Sequence, residues 1–434
     1  MSMNKLLIKN AKALLWKNGK FAISDQDILI SGNRIEKLGV GIESEDAEVI
    51  DGSHRLVIPG FVNTHSHATM SLFRNYKDDV NLQDWLFNHI FPIEDKLKTG
   101  DCYCFNMLSI AEMIHSGITS FVDMYFFMDE LAEAVKESGI RANISRSVSG
   151  SNDFSRDTDY RMQEMIKLFH DYHNTAAGRL KVSIAPHSIY TCEKEYLREC
   201  GNITRELGCG MQIHMCETIK EVEDCKIAHG MTPFEYCESI GLFDGISQII
   251  AAHCVHLSDT DIEIMKKHNI HVAHNPTSNL KLASGVMDAE KLLDAGINIT
   301  LGTDGPGSNN KLDILSEMRL AGLIHKGVKL NPTLLSASQV IEFATVNGGK
   351  ALHEDVGVIE EGKIADLCLI DIDKPQYYPL SEERLISSLV YSANSADITD
   401  VIVDGKILMR KNELVTIDEE KVKFEVGRKT ECLI

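Results

Sequence analysis

The chain has 434 residues, 44% of them hydrophobic and 25% charged, which suits a large packed core, one large domain plus a smaller one, and excludes a disordered protein. Its net charge of −20, from 44 basic and 64 acidic residues, repels a phosphate backbone and disfavours a nucleic acid polymer as partner, whereas a small or cationic ligand is easier to accommodate. No run approaches the roughly 20 apolar residues of a membrane span, MSMNKLLIKN carries no signal-peptide core, and the eleven cysteines form no CxxC pair, so a soluble cytoplasmic protein with reduced thiols and no membrane partner is expected.

In chain order, residues 1–57 read as short alternating runs, KLLIKNAKALL, QDILISGNRIEKL and AEVIDGSHRLV, separated by Gly, Asn and Asp turn signals. That pattern predicts β-sheet without long helices. Over 58–357 a βα unit recurs: an amphipathic helix, a Gly at its end, then a short apolar strand closing on a polar residue, as in AEMIHSG followed by ITSFVDM. The strands are LVIPGFVNTHSH, ITSFVDM, RANISRSV, KVSIAPHS, GMQIHMCE, QIIAAHCVH, NIHVAHNP and INITLGTDG. Eight parallel strands alternating with helices predict an α/β fold, a closed (β/α)8 TIM barrel. An open doubly wound sheet offers no reason for polar residues at nearly every strand's C-terminal end. Over 358–434 the β texture returns in KIADLCLIDID and ITDVIVDGKILMRKNELV, the latter with the hairpin signal Asp404-Gly405. The two chain ends are predicted to pair into a small β-sandwich domain.

The strand ends carry His65, His67, Asp123, Arg146, His187, His214, His253, His274 and Asp304, mostly metal ligands and proton carriers. His65 and His67 follow the apolar run LVIPGFV, and i, i+2 spacing lets both rings face the barrel mouth. His214 ends another apolar run and Asp304 ends the last. Three imidazoles and a carboxylate suit zinc, with ferrous iron or manganese as alternatives, and leave a position open for water. Such a metal lowers the pKa of that water toward ~7. Glu217, three residues after His214, is placed to shuttle protons beside the metal, and His253, closing IIAAH, to polarise the attacking hydroxide. His256, His271 and His274 read as mainly structural.

These residues resemble the amidohydrolase superfamily, which shows an HxH after strand one, a His after each of strands five and six, and an Asp after strand eight. Binuclear members bridge their metals through a lysine ending strand four; Ala185-Pro186-His187 stands here, which implies one metal ion per subunit and frees His187 for substrate. THSHATMSLFRNYKDDVNLQDWL, IHMCET, NPTSNLKLASG and GTDGPGSNNKLDILSEM resemble the 5′-methylthioadenosine/S-adenosylhomocysteine deaminase group. Related guanine deaminases and chlorotriazine hydrolases share parts of these strings, so an amidohydrolase acting on guanine, cytosine, a pterin or an s-triazine is the alternative. The resemblance implies hydroxide attack at C6 of adenine, proton donation to N1 by Glu217, support by His253 and proton relay by Asp304 to departing ammonia. It also implies that the segment 68–100 covers the site as a loop, with Trp85 on the ligand, Glu94 on the ribose hydroxyls, and His187 and Ser308 as further contacts. Arg146 and Arg161 resemble a pair for a substrate carboxylate, with Arg156 competing for the second place. Assembly as a homo-oligomer is left open.

Overall fold

The computed structural model describes residues 5–434. All eight expected barrel strands form. Phe61–Ser66 pairs in parallel with Ile118–Tyr125, and that strand with Arg141–Val148, which is flanked by Leu180–Val182 and Ala185–Pro186. Met211–Met215, Ile249–His253, His271–His274 and Ile299–Leu301 continue in the same sense. An Ile184–Met211 bridge joins the two sets. The ring closes where Thr64 Oγ1 donates to the Leu301 carbonyl at 2.9 Å and the Asp304 amide to the His65 carbonyl at 2.9 Å. The first three strands are buried at every position, as a parallel sheet covered on both faces requires, which is why they read as continuous runs. Gly139 and Gly208, in the left-handed region at φ 86° and 63°, cap the helices Met128–Ser138 and Lys194–Leu207.

The chain ends meet in one sheet. Lys5–Lys17 pairs antiparallel with Lys20–Ser31 and in parallel with Ala47–Asp51 and Arg55–Pro59. Arg55–Pro59 then pairs with Leu367–Asp371, which brings in the C-terminal strands. The expected sandwich is hydrogen-bonded as a single nine-stranded sheet. One face encloses Leu6, Ile8, Ile28, Ile30, Leu367 and Ile402, while Leu14, Ile58, Cys368 and Val401 on the other join the barrel core. Ile58 and Pro59 still pair in this sheet, so the chain passes into the barrel at Gly60.

Two departures from the sequence reading bear on the site. The segment 68–100 is largely helical rather than a loop, with a 3-10 turn at Ala68–Phe73 and helical residues from Leu82 to Glu94. Asn81 caps that run, and Trp85, Ile90 and Ile93 bury one side of it. The C-terminal region also contains helices, Glu382–Tyr391 and Glu419–Leu433. The second is bound to the helix Tyr103–His115 and its approach by His115–Glu419 and Lys429–Asp101 pairs at 3.2 and 2.5 Å. Its apolar face is narrow, with Val422 its one buried residue, so its helical period is weak in the sequence. Among the described residues no helix is long and apolar enough to cross a membrane.

Candidate active site

Four of the predicted residues converge at the barrel mouth. His65 lies in the first strand and His67 just beyond it; Ser66 between them turns away to donate to Asp123 Oδ2 and the Val122 carbonyl at 2.8 and 2.9 Å. The His65 ring centroid is 4.8 Å from those of both His67 and His214. Asp304 Oδ1 stands 3.4 Å from His65 Nε2 and 3.2 Å from His67 Nε2. Gly302 lets the eighth strand close on His65, since a Cβ there would lie 2.9 Å from the His65 Cβ.

Hydrogen bonds orient the rings. His67 Nδ1 donates to the Met124 carbonyl at 2.6 Å and His214 Nδ1 to the His187 carbonyl at 2.8 Å. In neutral rings this turns the Nε2 lone pairs inward, yet these two Nε2 atoms are only 3.3 Å apart, and the buried Nε2 of His65 has no hydrogen-bond partner. Such a convergence around a carboxylate calls for a positive charge among the rings, either a metal ion or a proton on His67. Burial pushes His65 down to about 4 and His214 well below the usual imidazole range. Burial opposes a positive charge on His67 as well, but the hydrogen bond and charge of Asp304 raise it to about 9. Burial likewise opposes ionisation of Asp304, but His65 and His67 hold it well below the usual carboxylate range. The donor set, N3O with inward lone pairs, fits a divalent transition metal.

The residues expected to carry protons lie alongside. His253 Nε2 is 3.8 Å from Glu217 Oε2, and His253 also lies within reach of His65 and Asp304. Burial raises the Glu217 carboxyl, with His253 opposing, and Ser284 Oγ is 3.4 Å from its Oε1. His253 and Asp304 both adopt left-handed backbone conformations, φ 71° and 62°, of the kind that gathers at functional sites.

Sequence reasoning named Asp123 and Ser308 without their supporting role and missed Ser278 and Asn279. Ser278 and Ser308 donate to Asp304 Oδ2 at 2.6 and 2.9 Å. Asn279 Oδ1 accepts from His253 Nδ1 at 2.8 Å. Asp123, pushed up to about 7 by burial against the charge of His67, takes the Ala68 amide at 2.6 Å and so holds the turn after His65 and His67. The string HNPTSN is the signal that could have pointed to Ser278 and Asn279, because it follows a barrel strand and is dense in side chains that hydrogen-bond. His274 itself is buried with its Nε2 3.1 Å from that of His325.

The expected substrate residues fall into two groups. Trp85 is buried with its ring against Gly307, where a Cβ would meet it at 2.9 Å. Glu94 accepts from the Tyr125 hydroxyl, and burial pushes it up to about 7 with Tyr125 and His67 opposing. The His187 ring is 4.6 Å from His214, and its Nδ1 is 3.1 Å from Thr191 Oγ1. The Ser308 hydroxyl is already engaged by Asp304. The arginines are held by separate acids: Arg146 by Glu164 at 2.8 Å, its guanidinium 5.0 Å from the Phe126 ring centroid, and Arg161 by Asp159 at 2.7 Å. Arg161 lines a cavity of about 990 Å³ with Tyr190, Thr191, Lys194 and His229, whereas Arg156 is bound by Glu199 and Glu206 at 3.1 and 2.6 Å.

Residues 56–408 match the model of the amidohydrolase family. A 5-methylthioadenosine/S-adenosylhomocysteine deaminase of Thermoanaerobacter pseudethanolicus is 43% identical over 432 residues, 99% of either chain. A 5′-deoxyadenosine deaminase of Methanocaldococcus jannaschii is 46% identical over 419 residues, 96% of this chain and 97% of its own. The crystal structure of an adenosine deaminase from Xanthomonas campestris with bound zinc matches with a TM-score of 0.92 at 28% identity, covering 100% of this chain and 99% of that one. With a family match across most of its length and relatives of this similarity over nearly all of it, the chain belongs to the amidohydrolase family.

Proposed function

We propose that this protein is a metal-dependent aminohydrolase that converts adenosine-type nucleosides with a modified 5′ position to the inosine analogue and ammonia. 5′-Methylthioadenosine, S-adenosylhomocysteine and 5′-deoxyadenosine are the substrate class. The observation that carries this reading is the pairing of an N3O cluster with a buried carboxyl and imidazole 3.8 Å apart, Glu217 and His253, in a chain whose relatives bear the deaminase names given above.

His65, His67, His214 and Asp304 would hold one divalent ion per subunit, with zinc favoured over iron or manganese by the N3O set and by the zinc in the Xanthomonas structure. Bound there, a zinc ion supplies Lewis acidity and a water whose pKa falls toward ~7. Glu217, raised by burial, holds a proton at Oε2 and delivers it to purine N1, which makes C6 electrophilic. His253 orients the water that attacks C6 through its Nε2. Asp304, kept ionised, would take a proton from the attacking water and pass it to the exocyclic amine; as the C6–N bond breaks and ammonia leaves, the new C6 hydroxyl returns a proton to Glu217 and the 6-oxo product forms. Trp85 would pack on the ligand, Glu94 would accept the two ribose hydroxyls, and His187 and Ser308 would complete the contacts. Arg146 and Arg161 would meet a carboxylate-bearing 5′ tail.

The test is ammonia release, with the ultraviolet shift from adenine to hypoxanthine, on adenosine, 5′-methylthioadenosine, S-adenosylhomocysteine, 5′-deoxyadenosine, guanine and cytosine. Turnover of 5′-modified adenosines is expected. Turnover of a free base alone, or of no compound by metal-replete protein, overturns the substrate assignment.

A further inference from the structure

The segment Thr218-Ile219-Lys220-Glu221 has the pattern of a helix capping box, in which the fourth residue reaches back to the backbone N–H of the first. The first half of that box is present: Thr218 Oγ1 accepts the Glu221 amide at 3.2 Å at the start of the helix Ile219–His229. The second half is not. The buried Glu221 carboxylate passes over Thr218 and accepts the amides of two earlier residues, Cys216 to Oε1 at 2.9 Å and Glu217 to Oε2 at 2.8 Å.

Those two residues form the turn between the strand that ends with the His214 segment and the helix. Cys216 is left-handed at φ 52°, and its carbonyl accepts the amides of Val255 and His256, both at 3.0 Å, just beyond His253. The turn is therefore tied on one side to Glu221 and on the other to the loop that follows His253. Burial opposes ionisation of Glu221 and pushes it up to about 7, with the two amides pulling the other way, so a carboxylate is retained there at a cost that helix capping alone does not explain.

We infer that Glu221 is a positioning residue: its carboxylate clamps the Cys216 and Glu217 amides and thereby sets the Glu217 carboxyl against His253. The inference rests on the proposed role of Glu217 and goes beyond it by naming what holds that group in register. Misplacing a reacting group by about 1 Å costs on the order of 100-fold in rate. Glu221→Gln keeps the shape but turns an NH2 donor toward one of the two N–H groups.

The experiment is Glu221→Gln, measured for kcat, KM, metal per chain, thermal midpoint and hydrogen exchange across residues 215–221. Expected are a kcat lowered about 10- to 100-fold, KM and metal content close to wild type, and faster exchange in that segment. In the double variant with Glu217→Gln the rate should be no lower than in Glu217→Gln alone. An unchanged kcat, a loss that tracks lost metal, multiplying losses in the double variant, or unchanged exchange overturns the inference. Glu221→Asp, one methylene shorter, takes its place if the Gln variant does not fold. If wild-type protein turns over no nucleoside, the deaminase reading fails separately, and the exchange measurement still decides whether Glu221 holds the turn.

Discussion

Ser278 donates its hydroxyl hydrogen to Asp304 Oδ2 at 2.6 Å, leaving Oδ1 of the same carboxylate to face His65 and His67. With the Gly305 amide, which donates to Oδ1 at 2.8 Å, the bond orients the one anionic group of the N3O cluster. Ser278→Ala is expected to weaken metal affinity about 10- to 100-fold, the usual effect of deleting a group that supports a ligand. Competition with a chelator measures it. Unchanged affinity would mean that Ser308 and the Gly305 amide suffice to orient Asp304.

Glu217→Gln removes the transferable proton while preserving shape. Metal content should remain at the wild-type level while kcat falls roughly 100- to 10,000-fold, the range of general acid–base catalysis. Metal analysis beside steady-state rates checks this, and a normal rate with full metal would remove Glu217 from the mechanism.

Arg146 already has an acidic partner, Glu164, so a substrate carboxylate must compete for its guanidinium. Arg146→Ala should raise KM for S-adenosylhomocysteine about tenfold or more and spare 5′-methylthioadenosine, which has no carboxylate. Glu164→Gln should act in the opposite direction, lowering KM for the carboxylate-bearing substrate. Equal effects on both substrates would assign Arg146 to the barrel or the ribose.

Glu317 is fully buried between the amide of Thr277 and the side chain of Asn309, and burial pushes it up to about 7 against those hydrogen bonds. A carboxyl whose folded pKa is raised contributes stability that is present below its unfolded value and is lost as pH rises through the folded one. This group should therefore contribute a loss of stability of about 3 kcal/mol between about pH 4.5 and 7 in metal-saturated protein. Denaturant melts across this range test the slope. Glu317→Gln should remove this group's share, and an identical slope in the variant would exclude it.

Much of the barrel was legible because a parallel sheet buried on both faces turns each strand into an uninterrupted apolar run, and a polar residue at its end marks the mouth. His65, His67, His214 and Asp304 stand at such ends, so their convergence followed from the eightfold repeat. The helical run over 82–94 was less legible because a π-helical stretch at Trp85–Ile90 and Pro92 break its period, and that over 419–433 because its apolar face is narrow and tertiary contacts stabilise it.

The sequence by itself determined which chemistry the barrel mouth carries, because ligand type and strand-end position are local properties of the chain. Only the tertiary structure decided how those groups are held. Ser278 meets Asp304 across 26 positions, Asn279 meets His253 across 26, and Arg146 and Arg161 each meet an acid of the chain, Glu164 and Asp159. Hydrogen bonds need donor and acceptor within about 3 Å at a suitable angle, and that geometry exists only once distant strands and helices have packed. Glu221 makes the same point over five residues: its motif predicts a capping box, and the left-handed turn at Cys216 brings two other amides to the carboxylate instead.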